Sequence, residues 1–212
     1  MNDTTPPSPT PDPAKGGDAG QTKPLNALIQ AMLEQAQVAA QRMAAYAERE
    51  YGPLGSTTDE ILSHENDDKK GNVLGALFYR IGLKAESRGE SSLTETERRL
   101  CAAHGLDGEV NNGGFDQYFF NSTGDAAETA LAGLKDMGAT AAAALLERAM
   151  AVFPGGKPPV DRERRQEEME KIESRSKPVW DQCDREFYDC KEDISELCLA
   201  YARKKRAEIV LP

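Results

Sequence analysis

Between Glu109 and Asn121 the sequence gathers a carboxylate, amides and aromatic rings around a glycine pair: Glu109, Asn111, Asn112, Gly113, Gly114, Phe115, Asp116, Gln117, Tyr118, Phe119 and Asn121. This set has two readings. In the architectural one the glycines let two backbones approach closely, Asn112 and Asn121 satisfy backbone groups at element ends, and Phe115, Tyr118 and Phe119 supply core area. In the functional one Glu109, Gln117 and the asparagines line a groove facing a partner. The backbone is ambiguous as well. Asn-Asn-Gly-Gly ahead of aromatics fits a hairpin turn, and it fits a loop entering a short helix with Phe115 and Phe119 four apart on one face. Propensity alone slightly favours the turn.

The other reactive side chains point to no catalytic, cofactor or metal site. The cysteines are Cys101, Cys183, Cys190 and Cys198. Zinc sites usually show pairs two to four residues apart, and these show none. The last three are spaced to share one face of a helix, so they read as small buried hydrophobes. His64 and His104 are far apart and read as surface or helix-end residues. Glu163 with Glu167 and Glu192 with Glu196 lack the Glu-x-x-His partner of a di-metal site and read as solvated pairs. Phosphate-loop, dinucleotide and nucleophile-elbow signatures are missing. The expectation is a protein that is not an enzyme and takes no cofactor.

Charge is the remaining instrument. The 212 residues carry a net −10, with 39% hydrophobic and 29% charged residues. Glu86, Glu90, Glu95, Glu97, Asp107, Glu109, Asp116, Asp125 and Glu128 face only Arg88, Arg98 and Arg99 over residues 86–128. Residues 161–212 are denser in charge but nearly balanced, with 14 acids and 12 bases. An acidic surface repels nucleic acid and attracts basic partners, so the acidic belt of 86–128 is the candidate partner-binding surface. The expected partner is a basic protein, with no direct nucleic-acid or membrane binding. The sequence has no apolar run of the roughly 18 residues that a spanning helix needs, and no signal-peptide pattern, so a cytoplasmic location is expected.

The elements that must position these residues all read as helices. Residues 1–24, rich in proline and glycine, read as a disordered tail. Leu25, Leu28, Met32, Ala36, Ala39, Met43 and Ala47 mark a helix over 25–50, ended by Gly52-Pro53. A short helix is expected over 58–64, capped by Thr57 or Thr58, then a polar loop from Glu65 to Gly71. Asn72 is placed as N-cap of a helix over 72–86. Thr94 and Glu97 form a capping-box pattern for a helix over 95–104 that Gly105 stops. Asp125 is expected to cap 125–137, with Gly138 at its end, and Thr140 to cap 141–152. Asp161 opens a charged helix to about 174, and Pro178 sits in the first turn of a last helix to about 207. The organisation is therefore a tail (1–24), N-terminal helices packing on the domain (25–69) and a helical domain (70–207). The fold class is all-α, with seven to eight helices.

The run from Glu109 to Ser122, followed by Gly124-Asp125, resembles the signature of the DNA-mimic protein DMP family. The run Trp180 to Tyr188, with Glu192-Asp193 and Leu197 to Tyr201, resembles the same domain's C-terminal helix. The resemblance covers roughly residues 70–205. It implies an all-helical fold, which replaces the hairpin at 111–114 by helix or loop-helix. It also implies an activity in which carboxylates stand in for the phosphate array of duplex DNA and occupy the DNA-binding face of a transcription factor or other basic partner. The motif is glycine, amide and aromatic rather than acidic, so it marks the fold better than the activity. It transfers no partner-contact residues, and the bases of 161–212 would spoil a continuous negative strip unless they point away. Two rivals stand beside this reading. One is an immunity or antitoxin-like inhibitor with an interface centred on aromatics such as Tyr118 or Tyr201. The other is an enzyme of unrecognised type.

Overall fold

The computed structural model describes the backbone of residues 22–64 and 70–212 and the side chains of residues 27–64 and 72–212. Within them every regular element is a helix, as the all-α expectation has it. In order these are α1 (Thr22–Tyr51), α2 (Thr58–Leu62), α3 (Lys70–Arg88), α4 (Glu95–Phe120), α5 (Ala127–Met137), α6 (Thr140–Met150), α7 (Arg162–Tyr188) and α8 (Ile194–Lys204). The expected tail before Thr22, and residues 65–69 of the expected polar loop, lie outside the described residues. Pro24 falls in the first turn of α1, where its missing N–H costs nothing.

The chain divides into two units, Met1–Tyr46 and Ala47–Pro212. In the first, the described chain is a single helix, and residues 27–46 are exposed throughout. The second holds the core. There α4 is central and packs against α5, α7 and α8, α6 packs on α5 and α7, and α3 packs on α2 and α8. Leu100, Leu106, Val110, Phe115 and Phe119 of α4 are fully buried, and Leu134, Leu146, Cys183 and Cys198 meet them from the surrounding helices. Each such large apolar side chain stabilises the fold by about 1.5–3 kcal/mol. Trp180 anchors α7 to α6 by donating its indole N–H to the Ala149 carbonyl at 3.0 Å.

Several helix ends follow local rules. Thr57 with Glu60, and Thr94 with Glu97, each form a complete capping box. Asp161 caps α7, and Gly138 closes α5 in the left-handed conformation that glycine adopts freely. Other ends are corrected by tertiary packing. Asn72 lies inside α3, which begins at Lys70. Gly105 does not stop α4, because Leu106 and Val110 beyond it are fully buried, which outweighs glycine's cost of about 1 kcal/mol in a helix. Asp125 does not cap α5, since its carboxylate turns to Arg165. Thr140 is the first residue of α6 rather than its cap, and Glu192 accepts the first-turn N–H groups of Ala141 and Ala142 at 2.9 and 3.0 Å.

The largest correction concerns the last third of the chain. The charged helix does not end near 174, because α7 runs through Pro178 to Tyr188. An interior proline costs about 3 kcal/mol. The burial of Met169, Ile172 and Ser176 before it, and of Trp180, Cys183 and Phe187 after it, keeps the helix whole. The chain then breaks, and Asp193 caps a separate α8. Cys183, Cys190 and Cys198 therefore do not share a helix face. Cys183 and Cys198 are core residues, while Cys190 is half-buried in the junction. Burial pushes the thiols of Cys101 and Cys198 up to about 12, so both stay protonated and behave as apolar groups. His104 is also corrected. It sits mid-helix, its ring stacked on Phe78 at 4.2 Å, with a buried Nδ1 that has no hydrogen-bond partner.

Candidate functional site

The Asn-Gly-Gly stretch is neither hairpin nor loop: it is an interruption inside α4. Gly113 and Gly114 have non-helical dihedrals, with Gly114 at φ +76°. A side chain at Gly114 would be strained by that φ and would collide with the carboxylate of Asp184. On either side of the interruption α7 bonds to the backbone of α4. Asp184 accepts the Phe115 N–H at 2.8 Å, acting as a cap for the second half of α4. Tyr188 donates its hydroxyl to the Val110 carbonyl at 2.9 Å.

Glu109 sits on the other flank of the interruption. It accepts from Gln117 Nε2 at 2.6 Å, Asn121 Nδ2 at 2.9 Å and Thr123 Oγ1 at 3.1 Å. These donors, Gln117 first, hold its carboxyl below the usual carboxylate range. The amide-rich motif thus fixes one carboxylate and the end of its own helix. Asn111 bonds back to Asp107 within α4, and Asn112 is exposed. Phe115, Tyr118 and Phe119 are fully buried.

Arg165 of α7 seals the end of α4. It is fully buried and donates to the carbonyls of Phe119, Pro159, Val160 and Asn121 at 2.7–3.0 Å and to Asp125 Oδ1 at 2.6 Å. Its planar fork satisfies carbonyls that a helix end leaves open. The sequence reading counted Arg165 only among the bases of a solvated helix.

The acidic belt is dispersed. Glu97 is corrected outright. It is completely buried, paired with Lys84 at 2.7 Å, and accepts the N–H groups of Thr94 and Val210 at 2.8 Å. Glu95 is exposed and shares Arg99 with Asp136. Glu128 pairs with Lys157 at 2.8 Å and Asp125 with Arg165. Asp107 is half-buried, and burial raises its carboxyl. Glu86, Glu90 and Asp116 are exposed. The rings of Tyr118 and Tyr201 are buried, so neither presents the aromatic anchor expected of an inhibitor interface. The large exposed aromatics of the second unit are Phe120 and Tyr188.

Asp116 is the belt residue that finds acidic company. With Gly113 it borders an open cleft of about 360 Å³ on α7, lined by Glu173, Lys177, Trp180, Asp181 and Asp184. Burial and the neighbouring Asp181 and Asp116 raise the Asp184 carboxyl, against the Phe115 N–H that lowers it. Lys177 lies 3.7 Å from Asp181. Sequence reasoning missed Glu173, Asp181 and Asp184. Their signal was present, as steps of four and three place Glu173, Lys177, Asp181 and Asp184 on one helical face. Ending the helix at 174 hid it.

Among the described residues no cluster of three or more His, Cys, Asp or Glu side chains is arranged to hold a metal ion. None of the described helices is long and apolar enough to cross a membrane. No curated protein and no solved structure matches the chain. A family model described as DMP19-like protein matches residues 91–205, the span from the turn before α4 through α8. That is more than half of the chain, which therefore belongs to the DMP19-like protein family.

Proposed function

We propose that the protein is a non-enzymatic DNA mimic that occupies the DNA-binding face of a basic partner, such as a transcription factor. Family membership carries this reading. The net charge of −10 supports it, because a protein evolved to bind phosphates is steered to fixed carboxylates. The mimicking surface is centred on Asp116, Glu173 and Asp181, backed by Asp184, with Glu86 and Glu90 as outlying exposed carboxylates. Duplex DNA carries one charge per about 1.7 Å of its axis, so carboxylates held on a rigid helix imitate it better than ones on loops. The cleft meets that requirement with α7 on one side and the interrupted α4 on the other.

The test is capture of binding proteins on the immobilised full chain, with salt and duplex DNA as competitors. A mimic retains its partner at about 50 mM salt, and loses it by about 200 mM, the range over which phosphate-binding proteins lose most of their affinity for DNA. Excess duplex DNA displaces the partner at low salt. A partner that stays bound at high salt and ignores DNA would overturn the reading.

A further inference from the structure

At the start of α4 lies a second hollow, of about 240 Å³, that shares no residue with the acidic cleft. Its apolar lining is Leu93, Cys101, Ala102 and Ala126, drawn from the turn before α4, from α4 itself and from the turn that leads into α5. Leu93 and Ala102 are buried, and Cys101 and Ala126 are half-buried. The Cys101 thiol stays protonated, pushed up to about 12 by burial and then by the nearby Glu90, so it belongs to the apolar wall.

Two opposite charges, Arg98 and Glu90, stand exposed at the edge of this hollow. Arg98 donates to the Leu93 carbonyl, which holds the guanidinium in place and leaves its remaining N–H groups available. Among the described residues Arg98 has no carboxylate partner, and the Glu90 side chain has no hydrogen-bond or ion-pair partner. That is unusual for a cation in a chain of net charge −10, and the next residue, Arg99, is shared by two acids.

These features select the ligand by elimination. An inorganic anion satisfies Arg98 and meets Glu90, whereas a simple cation does the reverse. A wholly apolar molecule uses the lining and neither charge. A volume of 240 Å³ has room for about eight waters at roughly 30 Å³ each, the scale of an amino acid rather than of a nucleotide. A free α-amino acid carries a carboxylate and an ammonium on one carbon beside its side chain. It is the small molecule that uses both charges and the lining together, as ligand sites do when an apolar pocket is oriented by a few polar groups.

We propose that this hollow binds a free α-amino acid with an apolar side chain, its carboxylate on Arg98, its ammonium on Glu90 and its side chain against Leu93 and Ala102. Glu90 alone is shared with the proposed mimic surface, as an outlying carboxylate. The test needs no protein partner, so the two readings fail separately.

Isothermal titration of the full chain with L-leucine tests it. Saturable one-to-one binding with a Kd of about 1 mM or tighter is expected. Arg98→Gln and Glu90→Gln, both at exposed positions, each weaken it by about tenfold, the loss of one hydrogen bond to a charged group. 4-Methylpentanoate and isoamylamine, which each lack one of the two charges, bind weaker than leucine by about the same factor. Glu95→Gln, exposed on the same helix but outside the hollow, leaves leucine binding unchanged. Three results would overturn the proposal. One is no saturable heat up to about 10 mM leucine, ten times the expected Kd. The second is leucine binding that survives in the Arg98→Gln/Glu90→Gln double variant. The third is 4-methylpentanoate or isoamylamine binding as tightly as leucine.

Discussion

Two charged regions flank the end of α4 and use charge in opposite ways. At Arg165 every nitrogen of the guanidinium is engaged. The guanidinium is fully buried and bonded to four carbonyls and Asp125. In the cleft across the glycine interruption, Asp116, Glu173 and Asp181 are exposed, and Lys177 is the single cation on its walls. The first region is committed to the fold and has nothing left for a partner. The second contributes little to the fold and keeps its field outside the molecule. Burial therefore sorts the acids and bases of this chain into structural and available ones, and a charge count along the sequence cannot.

The contrast breaks if Arg165 proves dispensable. Removing one member of a buried charged network strands the others, so Arg165→Met is expected to destabilise by about 3–5 kcal/mol, read as a fall in the urea midpoint. Arg165→Lys is expected to recover only part of this, because a point charge cannot reproduce the fork. Lys84→Met, which leaves the buried Glu97 unpaired, belongs to the same class. Wild-type stability in either variant would mean that the interior charges are not structural.

Gly114 joins the two regions, and Gly114→Ala is the next largest expected effect. The left-handed φ alone costs about 1–2 kcal/mol for a residue with a side chain. The added methyl also pushes on Asp184 and so disturbs the cap on Phe115. Double substitution with Asp184→Ala is expected to cost less than the sum, since both changes remove the same contact.

How much of this was legible follows the same division. Capping boxes at Thr94 and Thr57 and the glycine at 138 act within a few residues, so the sequence carries them. The all-helical class came from periodicity and from the resemblance of the Glu109–Ser122 run. Burial of Glu97 was not legible: its capping role was read correctly, but Lys84 and Val210 arrive from elsewhere in the chain. Pro178 misled for a related reason. A local rule places proline at a helix start, whereas the packing of Trp180 and Phe187 carries α7 through it. That one boundary separated Glu173 from Asp181 and Asp184, and so concealed the acidic face.

A smaller expected effect is pH-dependent. Burial lowers the His104 imidazole, with Asp107 opposing, and its buried Nδ1 has no partner. A folded pKa below the unfolded one means that the unfolded chain binds more protons in acid. The neutral ring's contribution is therefore complete above pH 6.5 and is lost progressively as pH falls below it. His104→Phe keeps the stack on Phe78 and removes the titration. Its melting temperature is expected to rise relative to wild type at pH 5.5, with the difference narrowing at pH 7.5. A constant difference would place the acid sensitivity elsewhere, for example on Glu109, whose lowered pKa gives the same sign.

The smallest effect on stability is expected from the substitutions with the largest effect on binding. Asp116→Asn, Glu173→Gln and Asp181→Asn together remove three exposed charges that make no buried contact. Surface changes of this kind stay within about ±0.5 kcal/mol. Relief of repulsion at Asp184, whose raised carboxyl senses Asp181 and Asp116, acts in the stabilising direction. If these carboxylates are the ones a basic partner meets, the same triple variant binds that partner more weakly at low salt and shows a shallower dependence on salt, because fewer ion contacts form. A control that neutralises Glu95 and Glu128, which already pair with Arg99 and Lys157, changes binding less per charge removed. Equal losses per charge removed in the two variants would mean that the partner senses net charge alone, and the distinction between committed and available carboxylates would then carry no functional weight.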